Sequence, residues 1–211
     1  MNEEQAVLNF FAQQENLPLG LAVAEQMDQI REQLNNRFWQ ELMQRLAKLF
    51  DSNHTSWQVI LTEDRNAEKS LSGLHCSLSK EQSIYLHPMI EQQFLGGTWR
   101  IYFGLMWSST PSLEQLALPA VNDLKSSLQS AGFNSNENFL GWQWTTFYPR
   151  RKDFLMRFSQ QPEKLLADVE DTLRTLLIGH RELIEQANEV LDTPHQTLFA
   201  ALNQVRDELI G

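Results

Sequence analysis

The sequence predicts an α+β fold, a short antiparallel sheet of about 4–5 strands packed against long amphipathic N- and C-terminal helices. Three observations carry this expectation. Apolar residues recur at helical spacing through Leu19–Phe50, a period of two takes over from Ser56, and the helical period returns after residue 160. Strands grouped between blocks of helix, instead of alternating with them, favour a meander over a doubly wound sheet.

Residues 3–14 read as a short helix holding Val7, Leu8, Phe10 and Phe11, stopped by the turn chemistry of Asn16-Leu17-Pro18. The long helix Leu19–Phe50 follows. Leu21, Ala24, Met27, Ile30, Leu34, Phe38, Leu42, Leu46 and Leu49 step by three and four along one side of it. Its other faces mix Arg31, Arg37, Arg45 and Lys48 with Glu25, Asp28, Glu32 and Glu41. Pairs such as Asp28–Arg31 and Glu41–Arg45 read as a solvated surface. Phe38 and Trp39 are adjacent and point about 100° apart, too far for one narrow stripe. That excess of apolar surface marks them as candidate partner contacts and favours a dimer.

Trp57, Val59 and Leu61 alternate with Gln58, Ile60 and Thr62 as in a half-buried strand, and Glu63–Ser70 is a charged turn. Leu74–Leu78 and Ile84–Leu86 are short strand candidates. Thr98–Ser108 (TWRIYFGLMWS), after the turn Gly96-Gly97, is the strongest strand. Alternation sends Trp99, Ile101, Phe103 and Leu105 one way and Arg100, Tyr102, Gly104 and Met106 the other. A helix from Pro111 to Ala131 is inserted before a last strand, Leu140–Phe147, with Trp142 and Trp144 on one face. The expected organisation is a single domain over residues 1–192, comprising a helical part (1–50), a sheet (56–148) with inserted helix 111–131, and a long helix (160–192). Thr193-Pro194 restarts a C-terminal helix over 193–211.

The chain has 211 residues, a net charge of −10 and 42% apolar residues, enough for a core. The acidity argues against a generally basic nucleic-acid binder. Cys76 is the single cysteine, so neither an intrachain disulfide nor a thiolate zinc cluster is expected. The acidic start MNEEQ and the absence of a long apolar run predict a cytoplasmic protein that does not enter membranes.

No catalytic constellation emerges. The acid-x-Lys word Asp123-Leu124-Lys125 falls inside a predicted helix, not on the strand of a two-metal site. His54, His75, His87, His180 and His195 are scattered, and Glu63, Asp64 and Glu68 lack the spacing of a calcium loop. Nothing supplies Cys76 with a base, and phosphate-binding and nucleophile-elbow words are missing. No cofactor is expected. The local contrast is a basic island, Tyr148, Arg150, Arg151 and Arg157, beside Trp142 and Trp144 in an acidic chain. Aromatic and Arg side chains at one edge suit a protein hot spot or base stacking.

The words Arg37-Phe38-Trp39 with Leu42 and Leu46, then Ile101-Tyr102-Phe103-Gly104, then Trp142-Gln143-Trp144 and the helix from Pro162, stand in a telling order. In that order they resemble the C-terminal, non-catalytic region of bacterial PD-(D/E)XK nuclease superfamily proteins. No position matches that family's Asp and Glu-x-Lys pattern on a strand, so no catalytic residue carries over. The resemblance implies a companion module without its nuclease half, linked to a nuclease or phage-defence system.

The expected function is therefore a non-enzymatic protein-interaction or regulatory domain meeting a protein partner or forming a homodimer. Its candidate contacts are Phe38, Trp39, Trp142, Trp144, Tyr148, Arg150, Arg151 and Arg157. One alternative is an acidic DNA-mimic inhibitor of a nuclease or defence complex. Another, with nucleic acid as a less favoured partner, is a binding module using the aromatic and basic edge over residues 142–157.

Overall fold

A computed structural model describes residues 2–52, 57–62, 66, 72–78 and 84–192. It is α+β, as expected. Helix α1 (Glu3–Phe11) is capped by Asn2, whose side chain accepts from the Glu4 amide. The turn after it is pinned by Asn16, whose amide donates to Phe10 O at 3.1 Å and to Gln13 Oε1 at 3.0 Å. Helix α2 (Leu17–Ser52) then runs for 36 residues. It begins two residues earlier than predicted, because Pro18 sits in its first turn, where a missing N–H costs nothing.

Five strands follow as an antiparallel meander in the order β1 (Trp57–Leu61), β2 (Ser72–Leu78), β3 (Leu86–Leu95), β4 (Thr98–Trp107) and β5 (Phe139–Trp144). The hairpin between β3 and β4 closes through Gly96 and Gly97 at φ of +58° and +82°, the left-handed backbone a two-residue hairpin turn requires. Gly104, in mid-strand, makes room for a close crossing. A Cβ there would lie 2.1 Å from Gly141 O, next to the register shift at Leu105/Met106.

Strand β3 departs most from expectation, which ended the segment at Leu86. Pro88 and the polar run Glu91-Gln92-Gln93 disguise it. Pro88 is tolerated because pairing to β2 stops at Met89, one residue away. The polar residues are held from inside. Gln92 accepts the Trp39 indole N–H at 3.0 Å and donates to Ser72 at 3.4 Å.

The predicted helix 111–131 is two helices, α3 (Leu113–Leu116) and α4 (Pro119–Ser130). Leu118, held extended by the proline after it, separates them. Between the expected sheet and the expected helix from residue 160, a stretch to which the sequence assigned no element forms α5 (Lys152–Gln160). The predicted helix 160–192 breaks near His180 into α6 (Pro162–Gly179) and α7 (Arg181–Asp192). The expected charged turn 63–70, apart from Asn66, and the expected helix 193–211 lie outside the described residues.

All helices that touch the sheet lie on one face. Leu74, Cys76, Leu86, Ile90, Ile101, Phe103 and Leu105 meet α2, α4, α6 and α7 there in one core. Across that core Arg45 donates to Glu163 at 2.7 Å and to buried Glu170 at 2.9 Å, tying α2 to α6. The expected Glu41–Arg45 pair is thus replaced. Glu41 instead takes Arg37, at 2.6 Å.

The core covers only the second half of α2. From Asn2 through Ile30 no residue is buried. Val7, Leu8, Phe10, Leu17, Leu19, Leu21, Val23 and Ile30 all remain exposed. This arm, α1 plus the start of α2, is held together by Phe11 lying against Gly20.

Candidate interaction surface

The face of the sheet opposite the helices has its own composition. Alternation along β2, β3, β4 and β5 brings His75, His87, Met89, Glu91, Arg100, Tyr102, Met106, Trp142 and Trp144 to it. Met89, Tyr102 and Phe139 form a second apolar cluster there, flanked by Met106, Trp142 and Trp144, with no helical residue among them. At its centre Glu91 is buried. It accepts a short hydrogen bond from the Tyr102 hydroxyl and lies 2.5 Å from His75 Nε2. Burial and the Glu91 charge push the Tyr102 hydroxyl far up. His87, its ring 5.9 Å from that of His75, is pulled down to about 4, first by burial and then by His75. Its Nδ1 has no hydrogen-bond partner among the described residues. Glu91, Tyr102 and His87 are all buried within this network.

Toward the outermost strand β5, whose Trp142 backbone is bridged to Asn134, the surface becomes a ladder of aromatic and cationic groups. Trp142 and Trp144 meet edge to face at 5.6 Å. The Arg100 guanidinium lies 5.2 Å from the Trp144 ring and 5.5 Å from Tyr148, while its Nε donates to Thr145 O at 2.9 Å. Arg151 takes Tyr148 at 5.0 Å, lies 3.4 Å from the exposed carboxylate of Asp153 and keeps 58% of its side chain exposed. Arg100 therefore has its plane fixed by rings and its Nε used, which leaves its terminal nitrogens for a ligand. A guanidinium held in this way is pre-organised for a carboxylate.

The predicted contact residues divide three ways. Trp142, Trp144, Tyr148 and Arg151 do come together, and the structure adds Arg100. Strand alternation had placed Arg100 beside Tyr102, yet its distance in sequence from the basic island concealed the connection. Arg150 and Arg157 are pinned elsewhere. Arg150 lies over Trp99, 3.8 Å from Asp28 and 3.9 Å from Glu32, and Arg157 pairs with Asp168 between α5 and α6. Phe38 and Trp39 are corrected outright, since neither has any exposed surface. Helix α2 is clasped on two sides. Trp39 meets the sheet through Gln92, while Phe38 meets Phe154 and Phe158 of α5 at 5.0 and 5.7 Å. A 100° divergence therefore serves two layers instead of one narrow stripe.

Arg151 also lines a polar groove of about 570 Å³, with Asp28, Glu32, Trp99 and Arg150, at the root of the arm. A second cleft of about 570 Å³ runs between β5 and α6, past Phe133, Asp168, Thr172 and His180. An apolar hollow of about 110 Å³ lies among Leu49, Trp57, Leu177 and Ile184. Among the described residues no group of three or more His, Cys, Asp or Glu side chains is placed to hold a metal. Burial pushes the Cys76 thiol far up, which suits a packing role and not a nucleophile. No described helix is long and apolar enough to cross a membrane. Comparison with protein-family models, curated proteins and solved structures finds no match to this chain.

Proposed function

We propose that this chain is a non-enzymatic protein-interaction module whose N-terminal arm is its docking element. One observation carries the reading: the segment from Asn2 to Ile30, two helices joined by a short turn, displays eight large apolar side chains and buries none of them. Exposed apolar residues scattered singly need no explanation, but a helical segment made of them fits a surface that a partner covers. A protein partner is better supported than nucleic acid. Of the cations predicted to form a phosphate-binding edge, Arg150 and Arg157 are spent on carboxylates, and Glu91 sits at the centre of the aromatic face.

A setting beside a nuclease or phage-defence system belongs to the reading through the family resemblance alone. The words behind it (Phe38, Trp39, Ile101, Tyr102 and Phe103) are core residues, so they support a likeness of packing.

The test is a triple substitution, Leu8→Ser/Phe10→Ser/Leu21→Ser. The variant should keep the helical circular dichroism of the parent. It should lose the parent's association state in light scattering and its co-purifying proteins in the native host. A variant that keeps every association of the parent overturns the reading.

A further inference from the structure

The arm and the aromatic ladder are complementary to each other, and the root of the arm meets the basic edge at Arg150. Residues 1–30 carry Glu3, Glu4, Glu15, Glu25 and Asp28 and no Lys or Arg, a charge of −5 from the side chains alone. The ladder presents aromatic rings interleaved with Arg100 and Arg151 in a chain whose overall charge is −10. The same complementarity already operates inside one molecule, where Asp28 and Glu32 at the arm's root hold Arg150 over Trp99. Arg151, paired with the exposed Asp153, belongs both to that groove and to the ladder and so joins the arm's root to the aromatic surface.

Resting on the docking role assigned to the arm, we infer that its partner is a second copy of this chain. The arm of each protomer lies on the Trp142–Arg151 ladder of the other. Apolar residues such as Leu8, Phe10 and Leu21 cover Trp142 and Trp144, while the arm carboxylates reach the guanidinium groups of Arg100 and Arg151. An acidic arm would repel another acidic arm, which disfavours direct arm-to-arm pairing. The free part of α2, residues 17–33, is about 25 Å long, so a single arm covers only a small contact. Reciprocal docking about a two-fold axis doubles it, toward the roughly 800 Å² per partner of stable complexes, and closes the assembly at two.

Two variants decide the matter by sedimentation or light scattering. The first is the arm variant Leu8→Ser/Phe10→Ser/Leu21→Ser. The second is Arg151→Glu, an exposed position whose change leaves the fold intact, with Arg100→Gln as a second ladder variant after a circular dichroism check. Each alone should weaken dimerisation at least about tenfold, as loss of a central contact does. An equimolar mixture of arm and ladder variants should form more dimer than either variant alone, though less than the parent, because the hybrid restores one of the two arm-on-ladder contacts. Raising the salt concentration should weaken the parent dimer.

Unchanged dimerisation in both ladder variants, or a mixture that forms no more dimer than either variant alone, overturns the arm-on-ladder arrangement. A parent that stays monomeric through roughly 100 µM, within the range of weak specific association, overturns self-docking. The arm's role toward another protein is decided separately, by the co-purification arm of the earlier test.

Discussion

The two halves of α2 share one helix, one period and one kind of apolar residue, and their fates differ. Leu21, Ala24 and Ile30 are as regularly spaced as Phe38, Leu42 and Leu46, yet the first three are exposed and the last three have no accessible surface. What differs is the surroundings. From Asn35 onward the helix runs over the sheet and under α5 and α6, and before it, among the described residues, it meets only α1 and, at its polar root, Arg150. Amphipathic spacing states that a face seeks cover. Whether the cover comes from the same chain is settled by how far the rest of the chain extends.

Substitutions can sharpen or break this contrast. The largest effect is expected for Trp39→Ala, which empties a fully buried site and removes the indole N–H that Gln92 accepts, at a cost of about 3–5 kcal/mol in urea denaturation. Gly104→Ala, on the sheet beneath, forces a Cβ into Gly141 O and should cost about 3 kcal/mol by the same measurement.

His87 supplies a pH arm. Its folded pKa of about 4 lies below the ordinary 6.5, so the native state holds it neutral while the unfolded chain takes up a proton. Its contribution is complete above pH 6.5 and is lost as pH falls toward 4. From pH 7.5 to pH 5 the loss should be about 2 kcal/mol, and His87→Gln should flatten that slope. Leu21→Ala, on the free half of α2, should shift the denaturation midpoint by less than about 0.5 kcal/mol equivalent. A cost near that of Trp39→Ala would mean the arm is packed in the monomer and would end the distinction between the halves.

Much of the fold was legible in the residues. The alternation along Thr98–Ser108 and the shared face of Trp142 and Trp144 appear in the register of β4 against β5. Strand β3 was not legible, because the partners of Glu91 and Gln92, namely Tyr102, His75, Trp39 and Ser72, are distant in sequence and buried polar residues look like a loop until their partners are known. The break at Leu118-Pro119 was there to be read from the proline. The break at His180 had no comparable signal. Of the candidate contacts, the ladder was half visible, as the basic island beside W-x-W. Its middle member, Arg100, lies more than forty residues upstream of it. The misplacement of Phe38 and Trp39 came from counting one layer of neighbours where the helix has two.

The bond between Trp39 and Gln92, and those from Arg45 to Glu163 and Glu170, bear on how a ribosome delivers this protein. The helix that organises the core is made first, and everything that shelters it is made last. Gln92 emerges 53 residues after Trp39, and Glu170 follows Arg45 by 125. Phe38 must wait for Phe154 and Phe158. Throughout that interval the nascent chain displays an aromatic pair with nothing to close over it, the situation in which chaperones bind and stalled or truncated products aggregate. A messenger cut short before α5 would leave a polypeptide unable to bury its own centre.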